Sequence, residues 1–144
     1  RMKIVNDKAR FDYEIFERLE VGVKLSGAEA KSARLGQVDM GNAYIKIINS
    51  KAVIVGMHIY PYKFADNGRY DPMRTREILL HKKELLQLET KMKAGRLTLV
   101  PTAMYTRGPK VKIEIGLARG KRVYEKREAV KKKDVEREME RELK

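Results

Sequence analysis

The stretch Lys110-Val-Lys-Ile-Glu-Ile-Gly-Leu117 decides the fold, because apolar and charged side chains alternate along it. Such alternation is typical of a strand that has one buried face and one solvated face. The apolar positions run from Val111 to Leu117, and the opposite face carries Lys110, Lys112 and Glu114. We therefore expect a core strand whose outer face is largely basic.

The segment upstream of this strand predicts its hairpin partner. Leu97-Thr-Leu-Val-Pro101 begins an extended, mostly apolar run, and Arg107-Gly108-Pro109 contains the residues that favour a turn. The two strands would therefore lie side by side and antiparallel.

A second alternating region lies near the N-terminus. Phe11, Tyr13 and Ile15 share one face of an extended segment, and after a break in phase the alternation continues over residues 19–25. This pattern predicts one bulged strand or two short ones. We expect Phe11, Tyr13 and Tyr105 to fill the core because they share the strand period, although the same rings beside basic residues could also stack on RNA bases.

The next segment predicts a helix. Ser26 can cap its N-terminus while Glu29, three residues later, reaches back to complete a capping box, and Gly36 suits the C-terminal end. On this helix Lys31 and Arg34 are three residues apart and therefore occupy neighbouring surface positions.

The middle of the chain predicts a hairpin, a long loop and a second helix. Residues 43–48 and 52–57 indicate two strands, joined at residues 49–51. Residues 60–73 contain three separate chain breakers and predict the longest loop, a candidate contact surface. Residues 75–93 show a helical apolar period that ends before Gly95. The fold class is therefore mainly β with inserted helices, a small antiparallel sheet that closes into a barrel.

Composition limits the classes of partner. The chain has 144 residues, of which 33 are Lys or Arg and 20 are Asp or Glu, giving a net charge of +13. A charge of this size favours nucleic acid first and an anionic membrane surface second. There is no cysteine, and no stretch of the sequence approaches the length of an apolar membrane span. We expect a cytoplasmic protein without disulfides or thiolate zinc sites.

The basic charge is concentrated near the C-terminus. From Arg119 to Lys133 there are eight Lys or Arg and two Glu. We place one boundary near Gly120, with a folded domain at residues 1–120 and a basic tail at residues 121–144. Val135, Met139 and Leu143 recur every four residues in the distal tail. Because this apolar stripe is narrow and an isolated helix of this kind is marginal, we expect the tail to be disordered, or helical when bound.

Catalytic chemistry has little support in the sequence. His58 and His81 lie outside any metal-ligand spacing, and we interpret both as structural or surface residues. Asp66 and Asp71 lack the ligand spacing of a calcium loop. Phosphate-binding loops and nucleophile elbows are also missing from the sequence. We expect no enzyme activity, no catalytic residue, no metal, no cofactor and no small-molecule substrate.

Several motifs occur in an order that resembles one family. They are Asn6-Asp-Lys-Ala-Arg-Phe-Asp-Tyr13, Gly27-Ala-Glu-Ala-Lys-Ser32, Asp71-Pro-Met-Arg-Thr-Arg76 with Leu79-Leu-His-Lys-Lys-Glu84, Leu97-Thr-Leu-Val-Pro101 and Gly116-Leu-Ala-Arg-Gly-Lys121. Together they resemble the SmpB family, the tmRNA-binding proteins of bacterial trans-translation. The resemblance covers nearly the whole chain.

The resemblance implies an OB-fold-like barrel with flanking helices that binds the tRNA-like part of tmRNA, and a basic tail that enters the empty mRNA channel and decoding site of a stalled ribosome. By motif, Asn6, Glu20 and Leu79 fall at positions tied to tmRNA binding. Glu20 would donate no proton, so it would accept a hydrogen bond or orient a nearby cation. For Leu79 a packing role is an equally good interpretation. We expect a monomer whose partners are tmRNA and the ribosome.

The complete set of predicted contacts is larger. The candidate RNA-binding residues are Asn6, Lys8, Arg10, Glu20, Lys31, Arg34, Arg74, Arg76, Leu79, Arg119 and Lys121. The candidate ribosome-contacting residues of the tail are Arg122, Tyr124, Glu125, Lys126, Arg127, Lys131, Lys132 and Lys133.

Two departures from the family pattern and two alternatives accompany this interpretation. Asn42-Ala43 replaces the usual Asp-Ser before the strand tyrosine, and Glu125 replaces the Asp of the tail's Asp-Lys-Arg. A general RNA-binding barrel would share the charge and fold but would bind many structured RNAs equally. A peripheral membrane protein would share the basic tail but would need a stronger apolar face.

Overall fold

The computed structural model describes residues 2–122 and Arg137, and within residues 2–122 it contains nine strands and three helices. The strands are β1 (Lys3–Val5), β2 (Tyr13–Val23), β3 (Val38–Asp39), β4 (Tyr44–Ile48), β5 (Lys51–Val55), β6 (His58–Ile59), β7 (Arg76–Leu79), β8 (Thr98–Arg107) and β9 (Lys110–Gly120). The helices are α1 (Asp7–Asp12), α2 (Gly27–Arg34) and α3 (Lys82–Gly95). The predicted mainly-β class is confirmed.

Seven strands form one antiparallel sheet that curls into a ring. The order is β1-β8-β4-β5-β7-β2-β9, and β9 also pairs with β8, so the strands from β8 to β9 enclose a common interior. Closure of this kind removes most unpaired sheet edges. The ring is barrel-like and agrees with the predicted OB-like fold. A separate two-stranded sheet pairs β3 with β6.

The β8–β9 hairpin forms where the alternation predicted it, and β2 lies on the other side of β9. Ile113, Ile115 and Leu117 of β9 are almost completely buried. β2 is one bulged strand, because the pairing register with β9 shifts between Ile15 and Glu17. The bulge explains the break in apolar phase within this segment.

The turns follow local residue preferences. Asn49 and Ser50 join β4 to β5 with φ values of 49° and 61°, as a two-residue hairpin turn of the primed type requires. Residues 60–75 contain no helix or strand, so the predicted long loop is confirmed. The predicted cap of α2 is also confirmed, because Ser26 and Glu29 make both hydrogen bonds of a capping box.

Two segment assignments were wrong. Residues 76–79 form β7 rather than the start of a helix, because the side chains of Arg76 and Ile78 are both buried and strand pairing fixes them. The helix instead begins after His81, where Glu84 accepts from the His81 N–H. Phe11 lies in the short helix α1 rather than in a strand, because the buried Asn6 caps that helix.

Candidate nucleic-acid interface

One row of residues crosses the outer face of the sheet. Leu79 of β7 pairs with Gly22 of β2, Gly22 pairs with Lys112 of β9, Lys112 pairs with Tyr105 of β8, and Tyr105 pairs with Lys3 of β1. Directly paired residues present their side chains to the same side of a sheet. We call these five residues the outer row. It carries an exposed leucine at one end and two cations, Lys112 and Lys3, further along.

A groove of about 280 Å³ lies beside the outer row, between the sheet, α2 and the β8–β9 turn. Gly22 keeps it open, since a Cβ at this position would lie 3.1 Å from Leu79 Cδ1. Arg34 bridges the two walls by donating from Nη2 to the Pro109 carbonyl at 2.6 Å. The residues that line the groove are Gly22, Val23, Leu25, Ala30, Arg34, Leu79, Pro109, Lys110, Val111 and Lys112. An apolar floor with a cationic rim suits a polyanion that also presents ribose or base surface.

Next to the outer row, the Glu20 carboxylate holds the guanidinium of Arg107 in place. Its Oε1 accepts hydrogen bonds from the Tyr105 hydroxyl at 2.5 Å and from the Arg107 guanidinium at 2.9 and 2.8 Å. The hydrogen bonds from Tyr105 and then Arg107 lower the pKa of the Glu20 carboxyl, so it stays ionised. These contacts match the predicted role of orienting a nearby cation. Arg107 remains largely exposed and available to a phosphate.

A buried ionic cluster lies on the other side of α2. Glu29 is 1% exposed and accepts from Arg76 Nε at 2.6 Å, from Arg74 Nε at 3.0 Å and from the Tyr70 hydroxyl at 3.2 Å. Arg76 also donates to the carbonyls of Met57 and Pro72. We call Glu29, Tyr70, Arg74 and Arg76 the latch, because they fix the long loop to α2 and β7.

Opposing effects act on the Glu29 carboxyl. Burial alone would raise its pKa, but hydrogen bonds from Arg74, the Ser26 N–H and Arg76 outweigh that effect and lower it to about 2. Glu29 is therefore a carboxylate at every physiological pH. The guanidinium of Arg76 is 0% exposed and has no surface to offer an RNA. Arg76 therefore lies inside the fold and its part in RNA binding stays a prediction, whereas the Arg74 side chain is 40% exposed.

The N-terminal candidates divide in a similar way. Asn6 is 4% exposed, accepts from the Ala9 N–H, and donates to the carbonyls of Met40 and Pro101. It therefore holds α1 against the sheet, and its part in tmRNA binding stays a prediction. Lys8 and Arg10 are exposed on α1, and Lys8 Nζ donates to Asn42 Oδ1.

The remaining candidates lie at the end of β9 and on α2. The Arg119 guanidinium lies 5.3 Å from the centre of the exposed Phe16 ring, and Lys121 donates to the Arg10 carbonyl at 3.3 Å. Arg122 is exposed and Lys31 faces the long loop. Tyr124, Glu125, Lys126, Arg127, Lys131, Lys132 and Lys133 lie outside the described residues.

Sequence reasoning missed part of this interface. Gly22, Arg107 and Lys112 were not among the predicted contacts, and Tyr105 was assigned to the core. Tyr105 is only partly buried and its hydroxyl contacts Glu20. The alternation of charged positions along β9 was the available signal, because it already placed Lys112 on the solvated face. No local sequence pattern predicts that Gly22 of β2 pairs with Leu79 of β7.

Among the residues that the structure describes, no group of three acidic or histidine side chains could hold a metal ion. No helix in that same part of the chain is long and apolar enough to cross a membrane.

Comparison with known proteins places the chain in a family. The family model described as SmpB protein matches residues 3–144. The chain belongs to the SmpB family. This finding confirms the resemblance predicted from the motifs, and the match extends on both sides of the predicted boundary near Gly120.

Individual relatives agree with this SmpB assignment. The SsrA-binding protein of Persephonella marina is 46% identical over 134 residues, which cover 93% of this chain and 88% of the relative. The SsrA-binding protein of Oleidesulfovibrio alaskensis is 45% identical and covers 96% of this chain and 89% of the relative. A solved chain described as "tmRNA-SmpB: a journey to the center of the bacterial ribosome" is 39% identical with a TM-score of 0.69, covering 89% of this chain and 94% of that one.

Proposed function

We propose that this chain binds the tRNA-like domain of tmRNA and delivers it to stalled ribosomes for trans-translation, without catalysing a reaction itself. The observation that carries the proposal is the similarity to an SmpB chain described together with tmRNA and the bacterial ribosome, which covers 89% of this chain and 94% of that one. The cationic outer row and the groove beside it supply a surface with the chemistry that such an RNA needs.

In this proposal the groove and the outer row hold the tRNA-like domain. Arg34, Lys110 and Lys112 neutralise phosphates along the rim, while Leu79 gives the floor an apolar surface against ribose or base. Glu20 contributes through Arg107, whose guanidinium it holds in one orientation. A pre-oriented guanidinium loses less side-chain entropy when it binds a phosphate.

The other predicted residues divide into buried ones that stabilise the fold beneath this surface and exposed ones that extend it. Asn6 and Arg76 act from inside the fold, by fixing α1 and the long loop. Lys8 and Arg10 extend the cationic surface along α1, and Arg119 and Lys121 extend it to the end of β9.

The tail is proposed as a second and separate contact. β9 ends at Gly120, so residues 1–120 would form the RNA-binding domain and residues 121–144 the segment that enters the mRNA channel of the ribosome, in the cytoplasm. Its charge suits a channel lined by RNA phosphates. Tyr124 would stack on an exposed ribosomal base amid Arg122, Lys126 and Arg127.

A tagging assay on ribosomes stalled on a message without a stop codon tests the proposal. We compare the full chain with a chain truncated after Gly120, and with a full-length Tyr124→Ala variant. Both altered forms should bind tmRNA as the full chain does and should fail to support tagging. Loss of tmRNA binding on truncation would show that the tail serves the domain, and normal tagging by Tyr124→Ala would refute the stacking role.

Competition between tmRNA and bulk tRNA separates this proposal from general RNA binding. In a gel-shift measurement at fixed salt, tmRNA should displace labelled tmRNA far better than bulk tRNA does. Equal competition would indicate a barrel without selectivity for tmRNA.

A further inference from the structure

The long loop and the strand before it expose a group of aromatic rings. His58 and Tyr60 stack with centroids 4.2 Å apart and an interplanar angle of 30°. Tyr62 and Phe64 meet edge to face at 5.6 Å. Tyr60 is 44% exposed and Phe64 is 76% exposed. Rings this exposed contribute little to the core, so the folded domain alone does not account for them.

Both rings of the Tyr62 and Phe64 pair have a lysine beside them. Lys63 Nζ lies 4.9 Å from the Phe64 centroid, and Lys31 Nζ, from α2, lies 5.5 Å from the Tyr62 centroid. Aromatic faces interleaved with lysines are the composition that proteins use to bind single-stranded nucleic acid, through base stacking and phosphate neutralisation. Protein–protein interfaces are also rich in aromatic rings but are depleted in lysine, so the lysines beside these rings favour nucleic acid.

Internal hydrogen bonds hold the loop in place. Asn67 Nδ2 donates to the carbonyls of Tyr62 at 2.7 Å and Ala65 at 3.1 Å, and the Tyr60 N–H donates to the Gln37 carbonyl at 3.1 Å. The latch fixes the following segment through Tyr70 and its neighbours. The rings are therefore presented on an ordered support, which reduces the entropy lost on binding.

We propose that this loop is a second RNA contact of the folded domain, in which Tyr60 and Phe64 stack on unpaired bases while Lys31 and Lys63 contact the adjoining phosphates. It shares with the proposed function only the premise that the ligand is RNA. Helix α2 separates the two surfaces, since Lys31 faces the loop whereas Arg34 lines the groove. The ligand is single-stranded, because a paired base has no free face to offer.

The test measures the affinity of the full chain for a fluorescein-labelled uridine oligomer of about 12 nucleotides and for its duplex with the matching adenosine oligomer, at about 150 mM salt. Replacing both rings, in Tyr60→Leu/Phe64→Leu, keeps apolar bulk but removes the aromatic faces. We expect at least a tenfold loss of affinity for the single strand and a change below about twofold for the duplex. The matched control, Tyr60→Phe/Phe64→Tyr, keeps both rings and should bind the single strand like the unaltered chain.

A crosslinking measurement locates the contact directly. An oligomer that carries 4-thiouridine should crosslink to the peptide containing residues 58–64 in the unaltered chain and in the ring-keeping control. The proposal would be overturned if the double leucine variant bound the single strand with unchanged affinity, or if the crosslinks were confined to other segments. The exposed rings would then be assigned to a protein partner instead. Failure of the unaltered chain to prefer tmRNA over bulk tRNA would refute the proposed function instead, so the two failures are distinguishable.

Discussion

Replacing Glu29 with glutamine tests how the latch holds the long loop. The substitution keeps the shape of the side chain and removes its charge, which leaves the fully buried guanidinium of Arg76 without a counter-ion. Breaking a buried ion pair by removing one partner costs about 3–5 kcal/mol, because the remaining charge is desolvated and unpaired. We therefore expect a large loss of stability from a single-atom change.

The lowered pKa of Glu29 gives a second measure of the same effect. Its folded value of about 2 lies below the ordinary value of 4.5, so the ionised carboxylate stabilises the folded state above both values by about 3 kcal/mol. The contribution is complete above the ordinary value and is lost as the pH falls towards the folded value. At about pH 3 the stabilisation that ionised Glu29 gives the folded state should have fallen to roughly 1.4 kcal/mol. A small domain has only about 5–15 kcal/mol of stability in total.

Urea unfolding of the unaltered chain and of Glu29→Gln, at about pH 7 and about pH 3, measures this difference. The matched control is Glu77→Gln, which removes an equally ionised carboxylate from partly exposed pairs with Lys24 and Lys51. The control should change the free energy of unfolding far less, because solvent screens those pairs. A difference for Glu29→Gln below about 1 kcal/mol at about pH 7, or one that does not vary with pH, would refute the reasoning.

Four further substitutions test the fold and the interface. Asn6→Ala removes two buried hydrogen bonds that the side chain donates and the cap of α1. It should lower the free energy of unfolding by about 2–3 kcal/mol in urea titrations. A loss below about 1 kcal/mol would contradict the structural role of Asn6. Gly116→Ala would place a Cβ 2.8 Å from Ile15 Cγ2. It should lower the free energy of unfolding by about 1–3 kcal/mol in the same titrations. An unchanged free energy of unfolding would show that β2 and β9 can move apart to fit the methyl group. Glu20→Ala should weaken tmRNA binding without changing its dependence on salt. Arg107→Ala should also lower the slope of log affinity against log salt by about one. Equal salt slopes for the two variants would contradict these roles.

Local chemistry explains which parts of the fold could be predicted. The capping box of Ser26 and Glu29 and the alternation along β9 are encoded by residues close in sequence, and both were confirmed. The strand β7 was mistaken for helix because its apolar spacing fits both periods over so few residues. Glu84, which accepts from the His81 N–H in the first turn of α3, was the signal that would have moved the helix start.

The site was harder to predict than the fold, because its geometry depends on pairs distant in sequence. The second role of Glu29, as the counter-ion of Arg76, joins residues 47 positions apart and leaves no local pattern. The same is true of Glu20 and Arg107, which are 87 positions apart. Exposed cations such as Arg34 could be named from the sequence, because a helix surface position follows from local spacing.

The salt dependence of tmRNA affinity in a Lys112→Ala variant tests whether the outer row holds the tRNA-like domain, with Lys93→Ala as the matched control. Lys112 lies in the outer row and lines the groove, whereas Lys93 is exposed at the end of α3, away from both. We expect Lys112→Ala to weaken tmRNA binding and to lower the slope of log affinity against log salt by about one, and Lys93→Ala to change neither. Equal behaviour of the two variants would contradict the assignment of this face to the tRNA-like domain.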